Sequence, residues 1–245
     1  MERTVSTEEL ECLKQASLML LLPTSTWATG TVLFHRYCKF VNQSKPPKDL
    51  FNSRMTIMLC LYLATKVTEE PRKQRDIINV GYHLENPQND FLPIGSQLLN
   101  SLRETMTQCE LILMRALGFN MNVELPHTWI ASIIYGMAWW EKNGNPPDDT
   151  EDVDKRIKRV AALAWEVANE AVRCGLVDCY PARSMAAACI AISMDAHGEP
   201  FPAKNFDEWT DIWAKSSASR ISQARRLIED SVSISSIIGK SNRPC

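Results

Sequence analysis

Two stretches of this chain have no polar face. Residues 55–67 (MTIMLCLYLATKV) and 185–194 (MAAACIAISM) are apolar on nearly every side of a helix, and such a helix is stable only when other helices surround it. Each therefore requires a bundle of its own. The flanking sequence supplies one in both cases: each stretch is third in a run of five helical segments, and their centres lie about 128 residues apart by direct count. The halves share almost no residue identity, so the architecture repeats while the sequence does not.

In the first half, Ser6-x-x-Glu9 has the form of a capping box before Leu10, Leu13, Ala16 and Leu20. That helix should stop near Pro23. A second opens at Ser25, runs through Val32, Phe34, Tyr37 and Phe40, and ends before a Ser44-Lys45-Pro46-Pro47 turn. After the apolar third helix, RDIINV at 75–80 predicts a short fourth. A polar loop with Asn86-Pro87 and Pro93 then leads to a fifth helix from Gln97 to Leu117. Leu98, Leu102, Met106, Cys109, Leu113 and Leu117 form its inner stripe, and Gly118 follows as C′.

The second half starts a helix at Pro126 that passes through Trp129, Ile133, Met137 and Trp140. A loop follows at Asn143-Gly144-Asn145-Pro146-Pro147. Residues 152–172 form an amphipathic helix on Ile157, Val160, Leu163, Ala164, Val167 and Ala171. The apolar 185–194 helix, a short aromatic one at 206–213 and a long one at 219–234 complete the set. The fold class is all-α, two five-helix units in tandem. The boundaries are 1–119, a linker at 120–125, a second unit at 126–238 and a tail at 239–245.

Composition removes several function classes. Lys and Arg total 27 against 29 Asp and Glu, giving net charge −2 and pI near 6.1; proteins held on nucleic acid by phosphate neutralisation carry a basic excess. Nine glycines in 245 residues leave few for phosphate-cradling loops. The eight cysteines include no Cys-x-x-Cys, and Cys38, Cys60, Cys109 and Cys189 sit within apolar helical runs as small hydrophobes. The chain opens Met1-Glu2-Arg3-Thr4, without a secretory leader, and its longest apolar run falls short of the ~18–20 residues of a membrane span. An intracellular, reduced, soluble protein is expected, with no membrane partner.

Catalytic constellations are missing. None of His35, His83, His127 and His197 belongs to a His-Glu-x-x-His, and there is no Gly-x-Ser-x-Gly or Gly-x-x-x-x-Gly-Lys. His35 and Cys38, at i and i+3, would give half a metal site with no second pair to complete it. Glu69-Glu70 and Asp148-Asp149 are adjacent pairs, the first pointing apart on a helix and the second in a loop. No cofactor and no metal are expected. Lys155-Arg156-Ile157-Lys158-Arg159 reads as a solvated helix face balanced by Asp152 and Asp154, with an import signal as the other reading. The seven tryptophans, Trp139-Trp140, Trp209 and Trp213 among them, suit packing better than base stacking.

Two charges stand out against this background. Lys66 ends the buried third helix, and Glu110 lies beside Leu111, Ile112 and Leu113 in the fifth. Taken singly, a Lys at a helix C-terminus is explained by the dipole and a Glu by solvent. Taken with their neighbours they form a pattern: Leu61-Tyr62-Leu63-Ala64-Thr65-Lys66-Val67-x-Glu69, RDIINV at 75–80, then Glu110-Leu111-x-Leu113-x-Arg115-x-Leu117-x-Phe119. This resembles the cyclin box, well over residues 8–119 and weakly to about 235. Within the cyclins the chain is similar to the transcription type, and most to the cyclin-Q group, through RDIINV, Asn86-Pro87, Gln108-Cys109-Glu110-Leu111 and Pro126-His127.

The resemblance implies a non-catalytic regulatory subunit that activates a cyclin-dependent Ser/Thr kinase, with cyclin-dependent kinase ten as the expected partner and the nucleus, then the cytoplasm, as its place. It implies that the residues matching Lys66 and Glu110 bond to kinase backbone around its mobile C helix, with Leu63, Val67, Glu69, Met114, Phe119 and Met121 completing the kinase interface. The family's Lys-x-Glu-Glu reads Lys66-Val67-Thr68-Glu69 here. The first helix carries Gln15-Ala16-Ser17-Leu18-Met19 where cell-cycle cyclins have an Arg-containing substrate-docking patch, and no destruction box is evident. Two alternatives share the fold: a cyclin of the RNA-polymerase-tail kinase group (K, L, T or the fungal beta subunit), and a DNA-clamping transcription factor, which would need a basic surface.

Overall fold

The computed structural model describes residues 4–44, 53–144, 150–234 and 237, apart from the side chains of 138–144 and 150–153. Among them every regular element is helical: α1 (Thr7–Met19), α2 (Thr24–Ser44), α3 (Ser53–Val67), α4 (Gln74–Glu85) and α5 (Gln97–Ala116), then α6 (Pro126–Gly144), α7 (Thr150–Arg173), α8 (Ala182–His197), α9 (Phe206–Trp209) and α10 (Ala218–Ser231). The chain divides into two compact units, Met1–Val123 and Glu124–Cys245. The all-α expectation holds.

In the first unit α3 is central, packed against α1, α2, α4 and α5. Residues 56–61 and 63–65 are buried, which is why no polar stripe interrupts the sequence until Lys66. Close approach of α2 depends on Gly30, where a Cβ would lie 3.4 Å from the Leu61 backbone. The capping box of α1 is formed in full, Glu9 N–H donating to the Ser6 hydroxyl at 3.1 Å and Ser6 N–H to the Glu9 carboxylate at 2.9 Å.

In the second unit α8 takes the central place, packed by α6, α7 and α10. Ala182 and every residue from Ser184 to Met194 are buried. Small side chains let three helices close around it without strain. Cys189 lies wholly inside, and burial pushes its thiol up to about 12; it is an apolar filler there.

Several boundaries differ from the sequence expectation. α4 continues five residues past Val80, through Gly81, where a Cβ would lie 2.9 Å from Cγ of the Met58 side chain. On α5 it is Leu99, 2% exposed, that faces inward, while Leu98 is 47% exposed; Leu99, Met106 and Leu113 repeat every seven residues, and Leu98 is one residue, ~100°, off that line. The aromatic helix ends at Trp209 and passes into a π turn, Thr210–Ala214. α10 stops at Ser231, since Val232 is extended. Asn143 and Gly144 belong to α6. Lys45-Pro46-Pro47, residues 145–149 and the 239–245 tail lie outside the described residues.

Candidate functional site

α3 and α5 end in the same way. In α3 the Thr65 carbonyl accepts from Glu70 N–H at 2.9 Å and the Lys66 carbonyl from Glu69 N–H at 3.3 Å, with Glu69 left-handed at φ 58°. In α5 the Met114 carbonyl accepts from Phe119 N–H at 2.8 Å and the Arg115 carbonyl from Gly118 N–H at 3.0 Å. Gly118 is left-handed as such a wrap requires, and Phe119 is left-handed too, at φ 57°. A bulky residue held there is strained, and strain of this kind gathers at functional sites.

These endings bring the Lys66 ammonium onto the Glu110 carboxylate as a hydrogen-bonded ion pair. The Lys66 side chain is 43% exposed and that of Glu110 15%. The ammonium also lies 4.2 Å from the centroid of the Tyr62 ring. Burial disfavours the charged ammonium, but the hydrogen bond and charge of Glu110, with help from Tyr62, prevail and hold its pKa above the usual lysine value. Both groups keep unused capacity. An ammonium has three N–H donors and a carboxylate about four acceptor positions.

Around the pair the expected interface residues divide. Val67, Glu69 and Phe119 are exposed, Phe119 by 61%; Met114 and Met121 are partly buried. Leu63 is in the core at 3% exposure and supports the helix from within. Glu110 and Met114 are one turn apart on α5, hence on one face. Met121 N–H donates to the Phe119 carbonyl at 3.1 Å, so backbone bonds tie Met114, Phe119 and Met121 into the turn that closes α5, nine residues beyond Glu110.

Two arginines that the sequence did not signal hold this end of the unit. Arg72 donates from Nε to the Leu20 carbonyl and from Nη2 to the Leu21 carbonyl, both at 3.1 Å, and from Nη1 to Glu70 at 3.3 Å. It thus joins the ends of α1 and α3. Arg36 on α2 reaches the segment after α5, its Nη1 donating to the carbonyls of Asn122 at 2.9 Å and Asn120 at 3.3 Å. Both use backbone acceptors far away in sequence, which leave no side-chain signature.

Other candidates are placed differently. Among the described residues no group of three or more His, Cys, Asp or Glu side chains could hold a metal ion, and no helix is long and apolar enough to cross a membrane. The basic run on α7 is not simply solvated: Arg156 and Arg159 engage Glu199 at 2.8 and 3.5 Å. In the second unit Asp195, near the end of central α8, pairs with Arg225 of α10. This counterpart of the Lys66–Glu110 pair, with the charges exchanged, is not signalled by any motif in the second half.

No protein-family model matches the chain. Cyclin-L1 of Homo sapiens is 27% identical over 197 residues, covering 79% of this chain and 34% of that protein. Cyclin-L1-1 of Oryza sativa subsp. japonica is 27% identical over 199 residues, covering 78% of this chain and 40% of that protein. The chain thus spans well under half the length of these relatives. Among solved structures, a chain of the yeast RNA Pol II CTD kinase CTDK-1 complex matches with TM-score 0.64 at 18% identity, covering 91% of this chain and 64% of that one, a likeness of fold. Over most of its length, then, the chain is similar to L-type cyclins, and in fold it is similar to a chain of the CTDK-1 complex.

Proposed function

We propose that this chain is a cyclin regulatory subunit that binds and activates a cyclin-dependent Ser/Thr kinase through the ends of α3 and α5. The Lys66–Glu110 pair carries the reading. Its ammonium has donors left for backbone carbonyls and its carboxylate has lone pairs left for backbone N–H groups, both as charge-assisted bonds. Val67, next in sequence to Lys66, is exposed apolar surface beside it, and Phe119 adds exposed apolar surface past the end of α5; apolar surface with a few placed polar groups is what the centre of a protein interface carries. A protein kinase is active only with its own Lys–Glu ion pair formed on the C helix. A subunit that binds the helix-in state selectively raises its population. The chain contributes no catalytic group of its own to this mechanism.

Two partner classes fit the same contact. RDIINV and Pro126-His127 support the cyclin-Q type with cyclin-dependent kinase ten. The likeness to L-type cyclins and to the CTDK-1 chain favours a kinase of the RNA polymerase II C-terminal domain, which also supports the nucleus over the cytoplasm. Titration of the purified chain against purified cyclin-dependent kinase ten and against a purified CTD-kinase catalytic subunit, followed by peptide phosphorylation, separates them. Failure to bind either kinase overturns the proposal. The net charge of −2 opposes the DNA-clamping alternative, which a gel-shift titration tests directly.

A further inference from the structure

Phe119 and Met121 sit on a segment that leaves α5 through consecutive left-handed residues, Gly118 at φ 60° and Phe119 at φ 57°. A 61% exposed phenylalanine gains little from burial that would offset this backbone strain. The local hydrogen bonds are short-range: Phe119 N–H to Met114, Asn120 N–H to Leu117 at 3.1 Å, Met121 N–H to Phe119. The long-range tie comes from α2. Arg36 Nη1 bonds the carbonyls of Asn120 and Asn122, across 84 and 86 residues, and so brackets Met121. A guanidinium suits this task, because both N–H groups of Nη1 lie in its rigid plane and their directions are fixed once the group is placed. α2 is itself anchored, since Phe34 and Tyr37 beside Arg36 are at most 1% exposed.

We propose that Arg36 is a positioning residue that holds the 119–122 segment in its partner-ready form before any kinase arrives. The inference rests on the proposed kinase contact: without the clamp, ordering Phe119 and Met121 would be charged to the binding step. Arg36 acts on this segment through two backbone carbonyls.

Hydrogen exchange on the free full chain tests the clamp without a kinase. In Arg36→Gln the amides of Phe119, Asn120 and Met121 should exchange about tenfold faster, while those of α2, α3 and α5 keep their protection. Binding to the kinase that passes the titration above should weaken about tenfold, with a slower association or faster dissociation and an unchanged melting temperature. Arg36→Lys, which keeps the charge but not the fork, should fall between. If Arg36→Gln loosens the whole first unit, Arg36→Lys alone serves as the test variant. Unchanged exchange at 119–121 overturns the proposal. So does faster exchange with wild-type binding, provided Lys66→Ala weakens binding in the same assay. If Lys66→Ala and Arg36→Gln both bind as wild type, the kinase-contact reading falls and the positioning role falls with it.

Discussion

Lys66 and Glu110 are partly open to solvent, and an ion pair of that exposure is worth roughly 0–1 kcal/mol to the fold. At a desolvated interface, removing one partner of a polar contact costs roughly 2–5 kcal/mol. Lys66→Ala and Glu110→Ala should therefore melt close to wild type and yet lose about two to three decades of kinase affinity. Calorimetric titration beside thermal melts checks this; melting far below wild type, with binding lost only in proportion, would make the pair structural. His127 offers a second residue-scale prediction. Its Nε2 meets the Asn169 Oδ1 at 3.0 Å, its ring abuts Trp165 edge-on at 4.6 Å, and its Nδ1 is buried with no partner. Charging the ring would place a second N–H on that orphan atom. Burial accordingly lowers its pKa below the usual 6.5, against the Asn169 bond and the Glu166 charge. The unfolded chain then binds more protons than the folded one in the window below about 6.5. Stability should be complete above that pH and fall as pH drops through it. Urea melts at pH 7.5 and 5.5 should show a loss that His127→Gln, which can still donate to Asn169, reduces. The Lys66 and Glu110 positions were legible because a charge in an apolar helical run is conspicuous. Arg36 and Arg72 were not, since a partner that is a backbone carbonyl has no residue type.

Helices were read well from the sequence where burial decides them and poorly where a neighbour does. α3 and α8 follow from composition alone, because a helix apolar on all sides has one kind of environment available. α4 runs on through Gly81, packed against Met58, to Glu85, where local propensity reads the glycine as a stop. The choice of Leu99 over Leu98 depends on which of two adjacent leucines aligns with Met106 and Leu113, and a pattern tolerant of one residue admits both. α8 makes the strongest claim at this scale. Ala186, Ala187 and Ala188 are fully buried with α6, α7 and α10 around them, so the helix spacing is set by methyl groups. Ala188→Leu adds three heavy atoms to a closed site and should destabilise the protein by roughly 1–3 kcal/mol through overpacking. Chemical denaturation gives the value directly. A melt within 0.5 kcal/mol of wild type (about the scatter of surface substitutions) would mean that the helices around α8 separate without cost.

The two units share one plan, a central helix whose end is paired across to the last long helix, yet they are not equivalent in what they expose. In the first unit the pair is Lys66–Glu110, with exposed Val67 next to Lys66 and the strained, exposed Phe119 past the end of α5. In the second it is Asp195–Arg225, and Arg225 is bonded again by Glu229 at 2.7 Å. That guanidinium therefore has two carboxylates against it, where Lys66 has one. The division into two five-helix sets was evident from the spacing of the apolar stretches, whereas the second pair was hidden because Arg225 lies on the amphipathic α10, where charge is ordinary, and Asp195 comes only after the apolar run of α8 has ended. Charge alone consequently does not mark a contact; charge with unused capacity beside exposed apolar surface does. The same reasoning applies to α7, where Glu199 pairs with Arg156 and Arg159 and Lys158 is exposed. Asp195→Asn and Lys158→Glu should each leave kinase affinity within about twofold of wild type, as expected of surface charges outside an interface. Arg156→Glu should instead destabilise the second unit, since it sets a carboxylate against one that is 14% exposed. Titration of the three variants against the same kinase, with melts in parallel, decides it. A tenfold loss of affinity in Asp195→Asn at an unchanged melting temperature would put a kinase contact on the second unit as well, and the exchanged charges of its ion pair would then face a differently charged part of the partner.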